Sequence, residues 1–140
     1  MRQLIIVRKD LNMSPGKLSA QVSHASMAFL VNWIKNNLDK RGKVEGWLDG
    51  FTLEWIRGIF TKTVCEAKNK NQLMKAITKA EEMGFIEGCD FFLIKDNCLT
   101  ELEPEEVDED GVGKTLTCIG FKPLPDDIAH EISRKYQLYK

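Results

Sequence analysis

The chain has 140 residues, with 20 Lys and Arg against 21 Asp and Glu, 43% hydrophobic and 29% charged residues. That is the size of one ordinary domain, and the composition excludes disordered and collagen-like classes. No apolar run approaches the roughly 18 residues of a membrane span, and the stretch after Gln3 is too short for a signal peptide, so a cytoplasmic protein without membrane contact is expected.

Residues 3–8 read as a short, fully buried strand. Ser14-Pro15 supplies a cap and a proline at the first helical position. A helix from about Gly16 to about Asn36 follows, its apolar stripe being Leu18, Val22, Ala25, Phe29 and Trp33. Glycines at 42, 46, 50 and 58 punctuate residues 37–60, which read as an insertion with one short helix at about 52–58. Thr63–Ala67 is the second strand; Asn69 caps a helix that Gly84 ends. Phe91–Ile94 is the third strand, and Thr115 to about Phe121 the fourth. Pro123 and Pro125 open a last helix with apolar positions Ile128, Ala129, Ile132 and Tyr136.

Helical crossovers make the first three strands parallel, while the fourth follows a loop and reverses. The expectation is one α/β domain over 1–140, a three-layer α/β/α arrangement with a four-stranded mixed sheet: three parallel strands and one antiparallel. Seven of the 21 acidic residues lie between Glu101 and Asp110, leaving 20 basic against 14 acidic elsewhere. A basic body with one acidic loop is compatible with a polyanionic partner, and the loop itself reads as solvated.

The connectivity places Lys17, Asp96 and Thr115 at one edge of the sheet, the edge at which open α/β sheets bind ligands. Lys17, Gln21 and His24 share a helical stripe distinct from the apolar one. A lysine in a first turn opposes the helix dipole unless an anion is near. With Gly16 and the free N–H groups it makes an anion or phosphate site. Asp96 either caps a turn or orients a water, with Thr100 as an adjacent donor. His24 reads as a hydrogen-bonded, half-buried residue ahead of a catalyst. The four cysteines, Cys65, Cys89, Cys98 and Cys118, lack metal spacing, so free thiols and no metal site are expected.

Val7-Arg8-Lys9-Asp10-Leu11-Asn12-Met13, then Gly16-Lys17 and Ala20-Gln21-Val22-Ser23-His24-Ala25, resemble the type 2 peptidyl-tRNA hydrolase family, as do Asp96 to Thr100 and Gly113 to Gly120. The resemblance implies hydrolysis of the ester joining a peptide to tRNA, no cofactor, and a homodimer. It implies an active site of Lys17, Asp96, Thr100 and Thr115, with Gln21, His24 and Gly16 binding substrate. This chain departs in having Asn97-Cys98 where the family has Ala-Gly, a longer acidic loop, and a longer 37–60 segment holding Trp47 and Trp55. If the glycine position needs positive φ, Cys98 is strained there. The alternatives are a non-catalytic tRNA- or anion-binding module, a thiol hydrolase using Cys98 with His24, and an interaction protein working through the tryptophan segment.

Overall fold

The computed structural model describes all 140 residues. Strand β1 (Gln3–Arg8) is buried along its whole length, and its alternation divides the interior in two. Ile5 and Val7 pack with Ala25 of helix α1 (Pro15–Asn37). Leu4 and Ile6 join a larger cluster with Leu73, Ala76, Ile77 and Ala80 of helix α3 (Lys70–Glu82) and Ala129 and Ile132 of helix α4 (Asp126–Ser133). A strand apolar on both faces is the pattern of a sheet covered on both sides. Fully burying each such Leu or Ile is worth roughly 1.5–3 kcal/mol.

The remaining elements are α2 (Gly50–Arg57), β2 (Lys62–Ala67), β3 (Phe91–Asp96), β4 (Glu106–Val107), β5 (Gly113–Phe121) and β6 (Gln137–Leu138). The sheet order is β3-β5-β1-β2-β6, with β4 on β5. β1 and β2 are parallel, and β5 is antiparallel to both β1 and β3, so β1, β2 and β3 run in one direction as expected. The path from β1 to β2 steps one way across the sheet, and the path from β2 to β3 returns the other way. Right-handed crossovers of opposite sense place α1 and α3 on opposite faces.

The mixed sheet has six strands, not four. The two extra strands are two-residue pairs that carry no apolar periodicity. β4 lies inside the acidic run, where Glu106 and Val107 pair with Lys114 and Gly113, so the run is ordered while its acidic side chains stay largely exposed. β6 forms because α4 stops at Ser133, before Tyr136, and the chain turns back along β2. Its polar anchor is Glu66, which receives the Gln137 amide and, at 3.2 Å, the Lys140 N–H. Tyr136 is therefore not on the helix; its hydroxyl donates to the Gln72 carbonyl at 2.6 Å.

Residues 38–49 turn back on the end of α1 through the Leu38–Val44 bridge. Asp39 Oδ1 fixes that turn by accepting from Arg41 N and Lys43 N. The two tryptophans of the segment have different fates. Trp55 is buried against Phe29 and stacks on Phe60, whereas Trp47 is exposed.

Candidate active site

Gly120, the penultimate residue of β5, is where α1 meets the sheet. A Cβ there would lie 2.1 Å from the carbonyl oxygen of Ala25, so only glycine admits this approach. The close contact sets the height of α1 and carries Gln21, one turn earlier, down onto β5. Gln21 is buried, although it is polar. The Thr117 hydroxyl donates to its Oε1 at 2.6 Å, and its Nε2 donates to Asp96 Oδ1 at 3.1 Å.

Asp96 closes β3 and is the hub of the site. Its Oδ1 also receives the Lys17 ammonium at 2.8 Å, and its Oδ2 receives the Cys98 N–H at 2.9 Å. Both side chains of the Lys17–Asp96 pair are nearly buried, at 13% and 11% exposure, so water screens them little. Thr100 lies 3.4 Å from Lys17 Nζ. Thus Lys17, Gln21, Asp96 and Thr100, from α1 and the end of β3, are brought together as expected. The anion that a first-turn lysine requires is Asp96, and it is part of the protein.

A groove of about 880 Å³ leads away from this pair between α1 and β3. On the helix side it is lined by His24, Met27, Ala28, Val31 and Lys35, a continuation of the Lys17–Gln21 stripe. On the sheet side it is lined by Phe92, Leu93, Ile94 and Lys95. His24 is thus an exposed groove residue rather than a half-buried one.

Thr115 is placed differently. It is fully buried beneath the site, and its hydroxyl donates to the Glu103 carbonyl at 2.6 Å while accepting from Glu105 N at 3.2 Å. It anchors the acidic loop and does not line the groove. Gly16 is exposed at the start of α1, and a Cβ there would meet nothing within 4 Å. The neighbouring capping groups are already used. Ser14 Oγ accepts from Lys17 N at 3.3 Å, and both the Ser14 N–H and hydroxyl are held by Glu101. Those two donors hold the Glu101 carboxyl below its usual range.

Cys98 has φ +57°, so cysteine does occupy the left-handed conformation that suits glycine. Such a backbone costs about 1–3 kcal/mol and persists where surroundings over-determine it, here through the Cys98 N–H to Asp96. The Cys98 sulfur faces Thr115 Oγ1 at 3.3 Å and Asp96 O at 3.5 Å. It takes no contact from His24, which removes the basis for a Cys–His nucleophile.

Three contributors escaped the sequence reading. Thr117 shares a strand face with Thr115, and that two-residue spacing was the available signal. Glu101 was hidden within the charge run. Arg8 is 3% exposed and grips the loop through Glu105, with Asp10 at 2.8 Å and the Leu116 carbonyl at 3.0 Å. Burial works against its charge, but Asp10 and Glu105 outweigh that and raise its pKa above the ordinary value. A basic residue ending an apolar strand pointed to such a pair.

Comparison with known proteins places the chain in a family. The family model described as peptidyl-tRNA hydrolase PTH2 matches residues 1–139. A peptidyl-tRNA hydrolase of Saccharolobus solfataricus is 30% identical over 138 residues, covering 99% of this chain and 98% of the relative. One from Saccharolobus islandicus is 29% identical with the same coverage. One from Methanopyrus kandleri is 37% identical over 123 residues, 87% of this chain and 84% of the relative. With its whole length matched and a lysine–aspartate pair at the head of its groove, the chain belongs to the peptidyl-tRNA hydrolase PTH2 family.

Proposed function

We propose that the protein hydrolyses the ester between a peptide, or an N-blocked aminoacyl group, and tRNA. The observation that carries this reading is the Lys17 ammonium 2.8 Å from the Asp96 carboxylate, nearly buried at the head of the groove. Lys17 and Gln21 occupy Asp96 Oδ1, which leaves Oδ2, held by a single N–H, with a lone pair for a water. That water adds to the ester carbonyl and its proton passes toward Asp96. The oxyanion forms beside Lys17 and Thr100; its collapse breaks the bond to the ribose oxygen, which takes the proton back from Asp96 and leaves as the hydroxyl. Preorganised donors of this kind cost no reorganisation when charge develops. Thr115 supports the site by fixing the loop, and His24 and Gly16 border the substrate.

One domain spans 1–140 with 37–60 inserted; it acts in the cytoplasm as a homodimer and contacts tRNA through phosphates. No helix is long and apolar enough to cross a membrane. Phosphate contact makes affinity fall steeply with salt as counterions are released.

Release of N-acetyl-aminoacyl groups from tRNA tests the reading. The wild-type protein turns the substrate over, and Asp96→Asn loses about 10²–10³ in rate with tRNA binding retained. Absence of wild-type turnover with binding intact would instead identify a non-catalytic module.

A further inference from the structure

We infer that the free edge of β3 binds the peptide part of the substrate as an added strand, recognising main chain rather than side chains. This rests on the proposed hydrolysis and names how the groove is used. β3 is the outermost strand of the sheet on its side. Five consecutive residues, Phe92 to Asp96, line the groove. Side chains of successive strand residues point to opposite faces. Here Leu93 packs with the α3 and α4 side, and Ile94 with the α1 side. A groove reached by both runs along the strand edge, not across one face.

The backbone along this edge has one closed and one open part. Asp90 O accepts from Lys122 N, so in this antiparallel pair the even-numbered residues bond to β5 and the odd ones face outward. The Phe91 carbonyl is already taken by Gly88 N at 2.8 Å. Leu93 is the next outward residue, and its N–H and C=O face the groove. An unpaired strand edge is a template for another extended chain. Met27, Ala28 and Val31 supply an apolar wall opposite it.

The occupant follows from continuity with the chemistry. β3 ends at Asp96, so a chain lying along it begins at the scissile ester. Leu93 is three positions back, about 10 Å at the rise of an extended strand. The third peptide residue from the ester therefore pairs with Leu93, and the Gly88–Phe91 contact ends the subsite beyond it. Main-chain pairing suits a substrate whose peptide sequence is arbitrary.

The test varies the substrate, leaving the protein intact. Steady-state hydrolysis is measured for tRNA carrying an N-acetylated amino acid, dipeptide, tripeptide and pentapeptide. KM is expected to fall about tenfold up to the tripeptide, from two main-chain hydrogen bonds, and then to level. N-methylation of the third residue abolishes the gain, whereas changing its side chain from alanine to serine does not. Hydrolysis of every substrate with one KM overturns the inference and leaves the proposed function standing, as it would if a second copy of the chain or the RNA acceptor strand filled the groove. A gain that survives N-methylation also overturns it. No hydrolysis of any substrate overturns both.

Discussion

Gly120→Ala is the substitution that most directly couples packing to chemistry in this protein. An added Cβ would sit 2.1 Å from Ala25 O, 2.7 Å from its carbonyl carbon and 2.9 Å from its Cα. All three are backbone atoms, so no side chain can rotate away. Ordinary contact begins near 3.4 Å, so α1 must rise by roughly 1.3 Å. Overpacking of this kind costs about 1–3 kcal/mol. For a chain of this size that lowers Tm by roughly 3–10 °C. The Gln21 amide is 3.1 Å from Asp96, and a rise of that size takes it out of hydrogen-bond range. Misplacement near 1 Å can cost about 10²-fold in rate, so kcat/KM is expected to fall by that order even in the fraction that remains folded. Thermal unfolding by near-ultraviolet circular dichroism and release of N-acetyl-aminoacyl groups measure the two effects. Gly50→Ala is the control, because a Cβ there meets nothing within 4 Å. Gly120→Ala with Tm within about 2 °C of wild type and unchanged kcat/KM would refute the account of how α1 is seated.

Thr117→Val keeps shape but leaves Gln21 Oε1 without its buried donor, at a cost of about 1–3 kcal/mol. A drop of about tenfold in kcat with KM unchanged, restored by Thr117→Ser, is expected; equal loss in both variants would show that the hydroxyl does not position Gln21. Cys98→Gly relieves a left-handed backbone but adds chain entropy, so stability should stay within about 1 kcal/mol, and hydrolysis should persist. Loss of turnover in that variant would return the thiol to consideration. Glu101 has a folded pKa depressed by Ser14. Its tether is therefore present above the unfolded carboxylate value and is lost as pH falls through the lower, folded one. Amide exchange at Ser14 should accelerate only as pH falls below the ordinary glutamate range, and in Glu101→Gln that pH-dependent step should vanish; the same pH profile in both proteins would count against the tether. Burial pushes the Cys118 thiol up to about 12, so it should resist alkylation at neutral pH in the native protein while the exposed Cys89 reacts.

Local information settled the elements that carry strong periodicity or caps. The buried run at 3–8, the Ser14-Pro15 start, the Asn69 cap and the Gly84 stop follow from backbone sterics and the need to satisfy helix-end groups, which neighbouring residues decide. Connectivity then put Lys17 and Asp96 at one edge, because parallel strands joined by right-handed crossovers present their carboxyl ends together. The insertion of β5 between β1 and β3, the pairing of two-residue strands β4 and β6, and the closing of the acidic loop by Arg8 and Ser14 were decided only in the folded molecule. These features rest on contacts between residues far apart in the chain, and their energies come from pairing and desolvation that no window of sequence contains. Thr115 illustrates the boundary: its position at the start of a strand was legible, but burial beneath the loop, rather than exposure to the groove, depended on where Glu103 and Glu105 came to rest.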